Sequence, residues 1–313
     1  MFRGERLALI SIAVVILALP LAANDYVLSL MVIAGIYAVL CTGLNLFMGQ
    51  TGQISFGHNA FAGFGCYGSA ILTVTYGWPP LLGLLASVLA AVAAALLIGF
   101  PTLRLRGHYL AMATLALGLI MYELSIQLES LTAGFLGISG IPKLGIGPWQ
   151  LSGDVQYYYA IWVIVGLGVW IYVRIVDSRV GRALGAVAGD EHAARALGVD
   201  VSRYKLLAFV ISAAYASVAG SLLAHYVSYV SPEVIGLGMV TLLFTMLFVG
   251  GLGTTTGPIT GAILINILPA LLTRFQDYRQ LVYGVALLLV IMFAPRGLHS
   301  LGNLRFAFSG KPR

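Results

Sequence analysis

Apolar runs of membrane-spanning length follow one another along most of this chain. A helix of about 20 apolar residues spans the bilayer core, where only helices and closed barrels satisfy every backbone polar group. Ten such runs lie at 7–23, 27–48, 55–76, 81–100, 108–127, 157–176, 205–226, 237–250, 256–272 and 280–294. With 60% hydrophobic residues, the sequence predicts an all-α polytopic membrane protein with about ten transmembrane segments in a single domain over residues 1–313.

Two of these runs allow more than one structure. The run 237–250 has too few residues to cross the bilayer as a regular upright helix, and it ends in the glycine-rich sequence GGLGTTTG. We therefore expect a short or broken segment there. Residues 1–23 resemble a cleaved signal peptide and equally a first transmembrane helix. The many runs that follow favour the retained helix.

The distribution of lysine and arginine predicts the orientation. If the N-terminus is cytoplasmic and ten segments alternate, the cytoplasmic side holds every Lys and Arg except Lys143, Arg274 and Arg279. This agrees with the positive-inside rule and predicts that both termini are cytoplasmic. Residues 128–156 then form a periplasmic loop, which is either a connector or a contact site for an external partner. Residues 177–205 form a cytoplasmic loop.

The apolar runs contain almost no ionisable side chains. Ion-coupled carriers place a carboxylate, histidine or lysine inside a span, but here Glu123, His58 and His225 are expected close to span ends. None of the lysines completes the P-loop sequence GxxxxGK[ST]. No catalytic or metal-binding motif such as HExxH, CxxC or GxSxG is present, and the dispersed basic residues form no face for nucleic acid. The sequence therefore indicates neither an enzyme nor an ion-coupled carrier.

Residues 43–59, GLNLFMGQTGQISFGHN, are unusually polar for a membrane segment. Polar side chains and irregular backbone at membrane depth persist only inside protein or beside water. This segment therefore lines or gates a translocation path, or else its side chains only hydrogen-bond to neighbouring helices. The candidate path residues are Asn45, Gln50, Gln53, Ser55, His58 and Asn59.

A similar sequence occurs later in the chain. LFMGQTG at 46–52 and LFVGGLG at 247–253 share the pattern LFxGxxG, and both are expected to approach the cytoplasm. The match fits a distant internal duplication. In a chain so rich in Leu, Phe and Gly, it fits chance equally well.

The loop 177–205 is the main concentration of charge and contains a short predicted helix. Nine of the chain's 28 Asp, Glu, Lys and Arg residues, including Arg182, lie in this loop. Asp190 suits the N-cap, Glu191 the first turn with Arg195 at i+4, and Gly198 the position that stops the helix. A helix this short must pack on something. It inserts into a partner, or it packs only on its own bundle.

Four segments together resemble the membrane permease of branched-chain amino acid ABC importers, of the LivM type. They are GQTGQISFGHNAFAGFGCYGSA, GISGIP, GRALGAVAGDEHAARALGVDVSRYKLLAFVISA and GGLGTTTGPITGA. By this resemblance, DEHAARALG corresponds to the segment that docks into the ATPase. The matching residues are Glu191, Ala193, Ala194 and Gly198. Gly185, Ala188 and Gly189 stand where relatives often carry charge, which leaves open whether the docking helix extends upstream of Asp190.

The resemblance also implies the partners. It implies a second, LivH-like permease subunit, two cytoplasmic ABC ATPase subunits that carry ATP and Mg²⁺, and a periplasmic substrate-binding protein. The chain itself is expected to lie in membrane lipid and to hold no cofactor. The expected substrate is Leu, Ile or Val, with urea, other amides or other amino acids as alternatives. A stand-alone carrier would need no docking loop, and a channel would be insensitive to ATP depletion.

Overall fold

The computed structural model describes residues 3–21, 23–146, 149–151, 153–271 and 285. Twelve α-helices follow in chain order within these ranges. They are α1 (Arg3–Ala18), α2 (Asp25–Thr51), α3 (His58–Val74), α4 (Pro80–Thr102), α5 (His108–Gln127), α6 (Glu129–Thr132), α7 (Asp154–Val176), α8 (Arg179–Gly189), α9 (Glu191–Ala196), α10 (Val201–Val227), α11 (Leu237–Gly250) and α12 (Gly257–Leu271).

The helices follow the predicted apolar runs. Each of the first nine runs contains one main helix, and α2, α4, α5, α7 and α10 are long and apolar enough to cross a membrane. The protein is therefore an all-α polytopic membrane protein. The short helix expected at 237–250 is confirmed, because α11 has 14 residues and ends before Gly251. The tenth run, 280–294, lies outside the described residues apart from residue 285.

Helices α2 and α10 form the centre of the bundle. Both are mostly buried, whereas α4, α5 and α7 keep most of their surfaces exposed. Helix α10 packs on α2, α3 and α4, and α2 also packs on α7 and α12. Because lipid is as apolar as the side chains, such packing depends on close contact between helices rather than on exclusion of water.

The crossing of α3 and α10 shows how this close contact is reached. A methyl group on Gly65 would overlap the carbonyl oxygen of Ser217, and one on Gly220 would overlap that of Ala62. The Ser221 hydroxyl donates a hydrogen bond to the carbonyl oxygen of Gly65 at 2.9 Å. Small residues thus let the two backbones touch, and a hydroxyl joins them.

The connections between helices gather at two opposite ends of the bundle. At the end called here the inner end, Gln53 after α2 contacts Glu191 of α9, Arg106 before α5 contacts the same carboxylate, and Gln50 contacts Gly253 after α11. The connections after α5 and α10 meet at the other end. The contacts thus sort the loops into the two groups that alternating spans predict.

The loop after α5 is held down on the bundle, although it contains no long helix in its described part. It contains α6, a 3-10 turn at Gly134–Leu136 and three two-residue strands, β1 (Ile138–Ser139), β2 (Gly145–Ile146) and β3 (Trp149–Gln150). Strand β1 pairs antiparallel with β4 (Tyr229–Val230), and β2 pairs with β3. The Pro142 carbonyl oxygen lies 2.7 Å from Nδ1 of His225, a buried residue near the end of α10.

We predict that Gly65→Ala destabilises the protein. The added methyl group has no space against the Ser217 carbonyl, so α3 and α10 must separate, at a cost of about 1–3 kcal/mol. Thermal unfolding of the detergent-solubilised protein should occur at a lower temperature. The matched control is Gly166→Ala in α7, where a methyl group meets open space. Equal unfolding temperatures for the two variants would contradict the prediction.

Candidate functional site

The charged loop folds into two helices that meet at Asp190. Ser178 caps α8 by accepting hydrogen bonds from the backbone N–H groups of Val180 and Gly181. Asp190 is extended (φ −159°, ψ 117°), so it ends α8 and starts α9. The short helix therefore does not continue upstream of Asp190, and a separate helix precedes it.

Asp190 is the N-cap of α9, as the sequence predicts. Its carboxylate accepts hydrogen bonds from the backbone N–H groups of His192 at 2.7 Å and Ala193 at 3.0 Å. The bonds from Ala193 and His192 also lower the pKa of the Asp190 carboxyl from its ordinary value, because they stabilise the charged form. The start of α9 is thus fixed by a charged cap.

The end of α9 is fixed by Gly198, again as predicted. Gly198 has φ +83°, and its N–H donates to the carbonyl of Arg195 while the N–H of Val199 donates to that of Ala194. This pair of bonds is a Schellman motif, which favours glycine at the left-handed position. Ala194 is buried in a small apolar cluster with Val187, Val199 and Val201. A six-residue helix is therefore held by both caps and by one buried face.

The opposite face of α8 and α9 is exposed and built of small side chains. Leu197 is 82% exposed, which is unusual for a leucine beside charged residues. Arg182 and Arg195 are also exposed. The remaining exposed residues of this face are Gly185, Ala186, Ala188, Gly189, Ala193 and Ala196. We call these nine residues, with Leu197, Arg182 and Arg195 included, the α8–α9 surface; the other six are glycine or alanine.

Glu191 points away from that surface, toward the inner ends of the other helices. Its side chain is 14% exposed, and its Oε1 atom accepts hydrogen bonds from the Lys205 ammonium and from Nε2 of Gln53, the latter at 3.1 Å. Around its Oε2 atom lie the Arg106 guanidinium at 3.7 Å and that of Arg195 at 3.9 Å. One carboxylate thus joins α9 to α10, to the α2–α3 turn and to the α4–α5 turn.

Sequence analysis identified only part of this cluster. The i,i+4 pairing of Glu191 with Arg195 is present, but only at the edge of ion-pair distance. Lys205 and Arg106 were not singled out, since they are far from Glu191 along the chain; the one available signal was a lysine at the start of an apolar run. Gln53, one of the predicted path residues, lies beside Glu191.

Asn45 and Gln50 join the two glycine-rich turns. The Asn45 amide donates to the carbonyl of Thr254 at 2.9 Å and its Oδ1 atom accepts from the N–H of Gly253 at 2.7 Å. Gln50 donates to the carbonyl of Gly253 at 3.3 Å and to the hydroxyl of Tyr172 at 2.8 Å. The two LFxGxxG segments are therefore in direct contact. This contact gives the shared pattern a structural role whether or not the segments arose by duplication.

Ser55, His58 and Asn59 are buried together on a narrow cavity between α2, α3 and α11. The cavity is too narrow to hold a water molecule, and Phe56 and Phe244, which also line it, stack with ring centroids 4.5 Å apart. His58 contacts the hydroxyls of Ser55 and Ser212. The Asn59 amide donates to the carbonyl of Ile235 at 2.7 Å, while its Oδ1 atom is buried without a hydrogen bond.

The polar run therefore serves three different places in the structure. Asn45 and Gln50 tie turn to turn, Gln53 lies beside Glu191, and the three residues Ser55, His58 and Asn59 line the cavity. Within the part of the chain that the structure describes, no group of three or more His, Cys, Asp or Glu residues is arranged to hold a metal ion.

Comparison with known proteins gives the family. Residues 26–293 match the family described as the branched-chain amino acid transport system permease component. The chain belongs to this family. It is 32% identical to the high-affinity branched-chain amino acid transport system permease protein LivM of Escherichia coli (strain K12), an alignment that covers 94% of this chain and 75% of that protein. The resemblance to the LivM type is confirmed.

Other relatives of this permease-family member are more distant. It is 28% identical to the permease protein LivH of Escherichia coli (strain K12), over 84% of this chain and 90% of LivH. It is 22% identical to the probable LivM permease of Methanocaldococcus jannaschii, with the same coverage of both chains. No solved structure matches the chain.

We predict that Asn45→Leu destabilises this permease-family protein more than Gln50→Leu. Leucine removes the two bonds from the side chain of buried Asn45 to the Gly253 N–H and the Thr254 carbonyl, at about 0.5–1.5 kcal/mol for each bond. Gln50 is only partly buried, so water can replace its bonds. Thermal unfolding in detergent measures the difference. If both variants unfold at the same temperature, the hydrogen bonds of Asn45 do not stabilise the contact between the turns and the prediction is wrong.

Proposed function

We propose that this protein is the membrane-spanning permease subunit of an ATP-driven ABC importer for the branched-chain amino acids Leu, Ile and Val. The observation that carries the proposal is the α8–α9 surface. It is exposed, and six of its nine residues are glycine or alanine, while Glu191 connects it to the inner ends of α2, α5 and α10. The substrate rests on the names of the LivM and LivH relatives, which describe branched-chain amino acid transport.

The protein works in the cell inner membrane, with ten transmembrane segments and both termini in the cytoplasm. The excess of Lys and Arg at one set of loops supports this orientation. The inner end of the bundle is then cytoplasmic, so the α8–α9 surface faces the compartment that contains ATP. The loop after α5 faces the periplasm.

Three kinds of partner complete the transporter. A second, LivH-like permease packs beside this chain in the lipid, and exposed apolar faces on α4, α5 and α7 are available for it. Two cytoplasmic ATPase subunits bind ATP and Mg²⁺ and hydrolyse the nucleotide, while this chain supplies no catalytic residue. A periplasmic binding protein delivers the amino acid to the loop at 128–156.

The mechanism follows from how the α8–α9 surface is attached. ATP binding closes the ATPase pair against this surface, and the closure moves α9. Because Glu191 binds Lys205, Gln53 and Arg106, the movement reaches α10 and the turns before α3 and α5 together. The polar cavity at Ser55, His58 and Asn59 lies beside the α2–α3 turn, where a small shift changes its size.

We predict that Leu197→Asp prevents productive docking of the ATPase without unfolding the permease. Leu197 is almost fully exposed, so the fold loses little, whereas a charge in the contact face must be desolvated. Arg195→Glu should act in the same direction. Measurements are co-purification of the ATPase subunits, uptake of labelled leucine, and substrate-stimulated ATP hydrolysis in proteoliposomes.

The matched control for docking is Ser202→Asp, which adds the same charge at an exposed position in the first turn of α10. It should leave co-purification and uptake unchanged. Normal uptake by Leu197→Asp would contradict docking at this surface. Uptake in wild-type proteoliposomes without ATP would contradict the importer itself and favour a carrier or channel.

We predict that Ser55→Ala and Asn59→Ala change the transport rate at normal protein levels. Ser55 holds Nδ1 of His58 at 3.3 Å, and Asn59 bonds the carbonyl of Ile235, so each truncation alters the polar wall of the cavity. Uptake per molecule in the membrane is the measurement. Variants that all transport normally, or that only fold poorly, would remove these residues from the path.

A further inference from the structure

Lys205 is an exception among the charged residues. It is 1% exposed, and among the described side chains it is the only Asp, Glu, Lys or Arg in the buried class. A buried ammonium is stable only when a charged partner offsets its loss of hydration. That partner is Glu191, whose Oε1 atom accepts a hydrogen bond from the Lys205 ammonium. The buried ammonium of Lys205 is therefore paired with the first residue of α9.

The pair is the polar contact between two helices that also meet through the apolar pair Ala194 and Val201. The described apolar contacts of α9 are limited to Ala194 with the three valines around it. Lys205, in contrast, lies in the second turn of α10, the helix that packs on α2, α3 and α4. The chain between the two helices is short and includes Asp200, which caps α10 through the N–H of Arg203. The ion pair is thus the main polar link from α9 to the bundle core.

Helix α10 extends this link to the other end of the bundle. Its 27 residues span about 40 Å at 1.5 Å per residue. Near its far end, His225 contacts the carbonyl of Pro142, and β4 immediately after it pairs with β1. One continuous helix therefore runs from the Glu191 carboxylate to the loop after α5.

We propose that Lys205 is a positioning residue for energy coupling, because its buried ion pair with Glu191 makes α9 and α10 move as one body. This inference rests on the proposed ABC-importer function. Separating the pair would leave a buried charge without a partner. A displacement of α9 in either direction relative to α10 is therefore unfavourable. A contact between exposed charges, such as Arg203 with Asp200, is screened by water and cannot transmit force in this way.

The test compares ATP hydrolysed with substrate transported in proteoliposomes that contain the complete transporter and its binding protein. Lys205→Met and Glu191→Gln should raise the ratio of ATP to substrate by roughly fivefold or more, as the loss of a typical coupling free energy does. The conservative variant Lys205→Arg keeps a cation beside Glu191 and should return the ratio toward the wild-type value. The matched control, Arg203→Met on the same helix, should keep the wild-type ratio.

The outcomes separate this inference from the proposed function. A merely structural role would lower uptake and hydrolysis together, so an unchanged ratio in Lys205→Met overturns the inference. A high ratio in a Lys205→Arg variant that reaches the membrane normally also overturns it. A wild-type complex whose uptake does not require ATP would instead overturn the importer function.

A measurement on the wild-type complex covers the case in which the variants fail to fold. Hydrogen exchange is followed in the complete transporter with and without a trapped ATP analogue. Backbone amides of α9 and of the first two turns of α10 should change their protection together. A change in α9 while residues 201–207 stay constant would show that the two helices move separately and would overturn the inference.

Discussion

The close approach of helix backbones around α10 is the constraint on which the rest of this structure depends. In lipid the helices gain nothing by leaving water, so association requires contact distances that only glycine, alanine and serine allow. Gly65 and Gly220 provide such contact between α3 and α10. The position of α10 in turn determines where Lys205 meets Glu191 and where His225 meets the outer loop. The polar contacts at both ends of the bundle follow from apolar packing in its centre.

Much of the local structure was predictable from the sequence, because it depends on neighbouring residues. The apolar runs predicted the long helices. The start of α9 at Asp190 and its end at Gly198 were predictable from the capping preferences of these two residues. The number of spans, the positions of the termini and the roles of the path residues remain predictions. The break at Asp190 resolved whether α9 continues upstream.

The tertiary contacts were not predictable, for a physical reason. Lys205 and Arg106 meet Glu191 only because three separate inner turns converge, and nothing in their local sequence encodes that meeting. Gln53 was predicted to act with its neighbours in the chain. In a turn, however, adjacent side chains point in different directions, and that of Gln53 reaches Glu191 of α9. The contact of Asn45 with Gly253 likewise joins segments that are about 200 residues apart.

The short length of α9 has a consequence for biogenesis. Six residues do not form a helix in water without support, and the support for α9 comes from Val201, Lys205 and the turns before α3 and α5. A chain whose later helices have not yet inserted into the bilayer therefore lacks an ordered α9. The α8–α9 surface therefore takes shape only after α10 has integrated into the membrane, so a chain that is still being inserted does not yet present it.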